Sequence, residues 1–235
     1  MLAKQAKLEL KKLSSAKKAK ASARFFKTDP GQYGEGDKFI GVSVPDQRKV
    51  VKKFSTLALL EISKLLNSQI HEERLVGLLI LVSQFQTADE KTKKQIYNFY
   101  LKNIRRVNNW DLVDASASYI VGSYLFDKPR TVLYKLAKSK NLWERRIAII
   151  ATLAFIVKGK SRDTLKIAVL LLNDKEDLIQ KAVGWMLREV GKRVSCEELE
   201  GFLKKHYKIM PRTMLRYSIE HFPSDIRQKY LKGQI

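Results

Sequence analysis

The chain has 235 residues, 45% of them hydrophobic, and 46 Lys and Arg stand against 24 Asp and Glu for a formal net charge of +22. That length allows a sizeable core, and so large a positive charge points to a polyanionic partner. One cysteine, Cys196, excludes an internal disulfide. No apolar run is long enough for a membrane span, and the lysine-rich start lacks the apolar stretch of a signal peptide, so a soluble, intracellular, cytoplasmic protein is expected.

Residues 1–22 are mostly Ala, Lys, Leu and Ser, with Leu2, Leu8, Leu10 and Leu13 as the larger apolar content. They read equally as a docked helix or a basic arm. Residues 24–45 form a glycine-rich connector. Its glycines, Gly31, Gly34 and Gly36, follow no strand and precede no Gly-Lys-Ser/Thr, which fits turns with positive φ better than a phosphate cradle. From Pro45 onward apolar residues recur at three- and four-residue spacing, predicting helices over about 46–66, 70–86, 89–102, 109–125, 129–138, 141–157, 161–172, 175–192, 196–206, 211–221 and 224–232. Asp89, Asn109, Ser161 and Ser195 suit N-caps, and Pro129 and Pro211 suit a first turn. Val, Ile and aromatic residues cluster only at 38–44, too short and isolated for a sheet.

The predicted class is all-α. Helix pairs beginning near 70, 109, 141, 175 and 211 repeat at the period of an α-solenoid. The expected architecture is one domain over 1–235, a curved stack of HEAT-like repeats with a basic concave face; a simple bundle would leave the repeat unexplained. Aligning the apolar runs puts Arg74, Asp114, Arg146, Lys181 and Arg216 in one row, a lone carboxylate among cations. Cations near successive helix starts can hold phosphates and track a nucleic-acid backbone.

The helix over 175–192 is expected to bury Ile179, Ala182, Val183, Met186 and Val190. Lys181, Trp185, Arg188 and Lys192 then share the opposite face, where a tryptophan among cations reads as a contact residue. In the stretch Asn109–Asp114, Trp110 and Asp114 lie one turn apart. Leu112, Ser116, Tyr119 and Ile120 look like the buried side of that helix, with Trp110, Asp114, Ala117 and Val121 pointing elsewhere. Asp114 reads either as a reactive carboxylate or as an early-helix charge complementing the dipole and paired with Arg146. Trp143 is assigned to packing, and the facing of Arg146 is left open by periodicity. Cys196 with His71, His206 or His221 makes no nucleophile motif, and no pattern predicts a metal or another cofactor.

Several segments together resemble the AlkD-like family of DNA alkylation repair proteins. They are Phe26-Lys27-Thr28-Asp29-Pro30-Gly31-Gln32-Tyr33-Gly34-Glu35-Gly36-Asp37-Lys38-Phe39, Asn109-Trp110-Asp111-Leu112-Val113-Asp114, Trp143-Glu144-Arg145-Arg146, Ile179 to Glu189, and Met210-Pro211-Arg212-Thr213-Met214-Leu215-Arg216-Tyr217. The resemblance runs from about Arg24 to the end. It implies a DNA glycosylase of HEAT-like repeats that excises cationic N3- and N7-alkylated purines from duplex DNA. It also implies Asp114 as the catalytic carboxylate, Trp110 and Trp185 as aromatics on the lesion's sugar and backbone, and Arg146 as an arginine near the phosphate. Phe25 stands where some members have tyrosine, and Asn109-Trp110 replaces the tryptophan doublet of some members. Arg74, Lys181, Arg188 and Arg216 complete the expected phosphate contacts. The competing class is a non-catalytic basic scaffold for DNA structures or an acidic protein. A monomer is expected in either case.

Overall fold

The computed structural model describes residues 1–235 and is all-helical; its one β-bridge is an isolated parallel pairing of Lys38 with Ile70. Two compact units divide the chain, Met1–Ile120 and Val121–Ile235.

The first unit holds α1 (Ala3–Lys12), α2 (Ala16–Phe25), α3 (Val44–Lys53), α4 (Leu59–Leu66), α5 (His71–Thr87), α6 (Glu90–Lys102) and α7 (Trp110–Asp114). Helix α5 is its centre: every residue from His71 to Val82 is buried, and α1, α3, α4, α6 and α7 all pack on it. A helix apolar on all sides is stable only when surrounded. Of the two readings of the N-terminus, the docked helix is the one observed for α1. Ala3, Ala6 and Leu10 are buried against neighbouring helices, the Ala3 N–H donates to Glu61 at 2.8 Å, and Lys7 pairs with Glu73 at 2.7 Å. Two alanines and one leucine make the contact, and Leu2, Leu8 and Leu13 stay exposed.

The connector is pinned by a buried carboxylate. Glu72 accepts N–H groups from Ile40, Gly41 and Val42 at 2.7–3.3 Å. Gly41 has φ +77°, and a Cβ there would stand 2.2 Å from the Ser15 carbonyl oxygen, so the close approach to α2 requires glycine.

The second unit holds α8 (Thr131–Ala137), α9 (Leu142–Ala151), α10 (Leu153–Ile156), α11 (Arg162–Leu170), α12 (Asp177–Arg193), α13 (Cys196–His206), α14 (Arg212–Ser218) and α15 (Ser224–Lys232). Here α12 is central, packed on by α9, α10, α11, α13 and α14. Its expected apolar residues, Ile179, Ala182, Val183, Met186 and Val190, are all buried. Gly184 lets α14 close on it, because an added Cβ would lie 2.5 Å from the Tyr217 Cβ and 2.6 Å from the Met214 carbonyl oxygen.

Three long helices expected from periodicity are broken. The run 46–66 is α3 and α4, because the Gln84 amide donates to the carbonyls of Ser55 and Leu57 at 2.8 Å each and holds the chain open between them. The run 141–157 divides at Thr152, whose hydroxyl donates back to Ile149 O at 2.7 Å. The run 109–125 stops at Asp114 and resumes as a π-helical turn over Ser118–Gly122. Leu112, Ser116 and Ile120 are buried as expected, but the break changes the helical phase beyond Asp114: Ala117 and Val121 are buried too and Tyr119 is 48% exposed, against the expectation for those three.

The repeat row also needs one correction. Asp114, Arg146, Lys181 and Arg216 are each the fifth residue after their N-caps, Asn109, Asn141, Glu176 and Pro211, whereas Arg74 is the fourth after Ile70. The side-chain bonds agree with that register. Arg74 and Arg145 each donate to the carbonyl six residues earlier, Ser68 and Ser139, at 3.0 Å, and the Gln180 amide does the same to Asp174. Arg74 therefore matches Arg145 and Gln180, which clamp the turn before a helix.

Candidate carboxylate and nucleic-acid site

Asp114 is the last residue of α7, half-buried, and it lines a cleft of about 670 Å³. The other charged side chains of that cleft are Arg48 and Lys52, one turn apart on α3, with Ser55, Ser83, Gln86 and Tyr119 as polar lining. Beneath it the Tyr100 hydroxyl meets Ser116 at 3.0 Å; burial, with the negative charge of Asp114 adding to it, pushes that phenol well above its ordinary range. Asn109 caps α7 through its own side-chain oxygen, which accepts the Trp110 N–H at 2.8 Å.

Trp110 opens the same short helix and is held by rings. It stacks on Phe26 at 5.3 Å and 21° and meets Phe25 edge-on at 6.0 Å. Phe26 in turn stacks on Phe39 at 5.0 Å and lies 4.9 Å from His71. Phe25 is 66% exposed, so with Trp110 it forms an open aromatic edge. The turn that delivers both phenylalanines carries Lys27 at φ +52°, the one non-glycine residue in the left-handed region. The Thr28 N–H to Ala23 and the Gly34 N–H to Lys27 O hold it.

Behind the rings lies a charged junction that sequence reasoning missed. His71, 2% exposed at the start of α5, faces Asp37 of the connector through Nδ1 at 3.0 Å and Asp111 of α7 through Nε2 at 2.7 Å. Arg74 donates to the second oxygen of Asp37 at 2.6 Å, and the Asn109 amide donates to Asp37 at 3.1 Å. Burial works against protonation of His71, but hydrogen bonds to Asp111 and Asp37 outweigh it and raise the imidazole pKa. Burial likewise opposes ionisation of Asp37, and is outweighed by the His71 bond, the Arg74 charge and the Asn109 bond, so its pKa is lowered. Arg74, expected as a phosphate contact, is 3% exposed and committed to Asp37 and Ser68; its guanidinium serves this junction.

In the second unit Trp185 lies half-buried on α12, and its indole N–H donates to Glu189 at 3.3 Å. Glu189 also accepts from Arg193 at 2.6 Å and Arg188 at 3.3 Å. Burial tends to raise the Glu189 pKa, and these arginines more than offset it, leaving it lowered. Arg188 additionally pairs with Glu220, so it bridges two carboxylates. Lys181 pairs with Asp177 at 2.6 Å and keeps a partly open side chain, and Arg216 is exposed. Arg146 is 5% exposed and donates to the Leu178 carbonyl, which answers its facing: it points inward. Trp143 is half-buried.

An all-helical repeat protein with a carboxylate in a cationic cleft and an open aromatic edge is the class defined so far. Residues 6–222 match the family model described as DNA alkylation repair enzyme. The chain belongs to that family, which places it among proteins of DNA alkylation repair. A solved structure described as a predicted DNA alkylation repair enzyme from Enterococcus faecalis is similar in fold, with a TM-score of 0.69 and 19% identity over 90% of this chain and 97% of that one. No curated protein sequence matches.

Proposed function

We propose that the protein is a DNA glycosylase that releases cationic N3- and N7-alkylated purines from duplex DNA, with Asp114 as its catalytic residue. The observation that carries this reading is a half-buried carboxylate at the tip of α7, in a cleft whose other charged groups are cations. A purine alkylated at N3 or N7 already bears positive charge and leaves as a neutral base, so no general acid is required. Positive charge develops instead on the deoxyribose, and a fixed carboxylate stabilises it and orients the attacking water. A lesion nucleotide pairs a cationic base with an anionic phosphate, and Asp114 beside Arg48 and Lys52 offers the complementary pattern. The faces of Trp110 and Trp185 add cation–π attraction of roughly 0.5–2 kcal/mol each, depending on desolvation, with Phe25 extending the first of these surfaces. Lys181, Arg188 and Arg216 are the phosphate contacts in this reading, while Arg146 contributes charge from within.

Asp114→Asn keeps shape and hydrogen-bonding capacity and removes the charge. Single-turnover release of N7-methylguanine at saturating protein is expected to fall about 10²–10³-fold, or ~2.7–4 kcal/mol in the barrier, with DNA affinity kept or raised. Equal rates for the two proteins would remove Asp114 from the chemistry and leave a DNA-binding scaffold.

A further inference from the structure

The second unit carries a cationic hollow that none of the candidate site residues named above lines. It measures about 740 Å³ and is lined by Lys128, Arg130, Lys160, Arg162 and Lys166, with Asp163 as the one carboxylate in its wall. Asp163 is already neutralised: Arg130 pairs with it and the Tyr134 hydroxyl donates to it at 2.7 Å. Arg130 is fixed further by the Phe126 carbonyl at 2.6 Å and by the Phe155 ring, 4.1 Å from its guanidinium carbon. The negative charge in the wall is thus met by one arginine, and Lys160, Arg162 and Lys166 remain as excess positive charge around the same hollow.

The lysines are also crowded. The ammonium groups of Lys158 and Lys160 both sit against the ring of Phe126, at 4.0 and 4.1 Å from its centroid. Two like charges sharing one ring repel each other, and a bound anion would relieve that repulsion. Several cations spread around one open hollow suit a phosphate-bearing strand better than a single carboxylate side chain.

We propose that this hollow, built from residues 128–130 and 159–161 with Arg162, Asp163 and Lys166 of α11, is a phosphodiester-binding site that holds nucleic-acid backbone. The assignment rests on the reading that the protein binds DNA, and it does not depend on base excision by Asp114. Each phosphate neutralised in the hollow contributes to the salt dependence of binding, roughly 0.9 in the log–log slope per contact on duplex DNA.

The experiment compares undamaged duplex affinity across salt for wild type, Lys160→Ala/Lys166→Ala and the control Lys229→Ala/Lys232→Ala, exposed on α15. The hollow variant is expected to lose roughly 1–2 from the slope and the control less, with the circular dichroism of wild type and an unchanged rate of N7-methylguanine release at saturating protein. An unchanged slope, or an equal loss in the control, overturns the proposal. Inorganic phosphate is the second probe: if it raises the Tm of wild type but not of the variant, while duplex binding is unaltered, the site serves a free phosphate compound and the nucleic-acid assignment falls. Loss of excision in Asp114→Asn with the hollow's slope effect intact would separate the two readings.

Discussion

A neutral imidazole carries one N–H, so it can donate to only one of two carboxylates. His71 faces Asp37 and Asp111 with both nitrogens, and only the imidazolium satisfies both. The sign of its contribution to stability follows. A folded pKa raised above 6.5 gives stabilisation that is fully present below that value and is lost as pH rises through the folded pKa. Asp37 acts at the other end: its lowered pKa stabilises above 3.8, and that part is lost as pH falls through the folded value. The Tm difference between wild type and His71→Gln is therefore expected to be largest near pH 5–6 and to shrink as pH rises above 6.5. A difference independent of pH across that range would mean that the neutral ring does the holding. Arg74 shows the same junction from the cation side. Its place among the aligned cations suggested a surface contact, but it is 3% exposed and held by Asp37 and Ser68.

At the scale of elements, periodicity located the helices because each buries a stripe, and the caps Asp89, Asn109 and Ser195 all accept backbone N–H groups as their side chains suggest. Ser161 stands at the N-cap of α11 but makes no side-chain capping bond, because its hydroxyl donates to Glu198. Pro129 falls before α8, and Pro211 is the N-cap of α14 and not its first turn. The breaks were not legible, since they depend on side chains far along the chain, such as Gln84 reaching back to Ser55 and Leu57. The same holds for the site. Asp114 and Trp110 stand out as candidates from their spacing and Phe25 only through the family resemblance, whereas the Asp37–His71–Asp111 junction joins three segments that share no local pattern. Helix packing supplies its own prediction. Gly184→Ala puts a methyl group against Tyr217 and Met214, and α12 must move off α14. Overpacking of this kind costs about 1–3 kcal/mol, and each kcal/mol lowers the Tm of a chain this size by about 2–4 °C. An unaltered Tm in a thermal melt would show that the two helices separate freely.

For the whole molecule, the charge of +22 sets the expected response to salt. Binding that uses roughly 6–10 phosphate contacts weakens about 10³–10⁵-fold between about 50 and 200 mM salt. Many arginines are already engaged internally: Arg74, Arg130, Arg145 and Arg188 all pair with carboxylates. Lysines such as Lys52, Lys160 and Lys166 therefore carry much of the outward charge, and under the proposed function they would be flexible point contacts that position a strand without reading its bases. Duplexes of unrelated sequence should accordingly give parallel salt profiles in a fluorescence-anisotropy titration. A flat profile would remove the backbone as the partner.

The stack of Trp110 on Phe26, with His71 also close to that phenylalanine, has a spectroscopic meaning. An indole locked at a fixed angle to a neighbouring ring absorbs circularly polarised light unequally in the near ultraviolet, whereas a freely rotating one averages the effect away. The protein thus holds an intrinsic optical probe beside its candidate carboxylate. Docking of a damaged strand, or discharge of the imidazole behind the rings, would be registered there with no label attached.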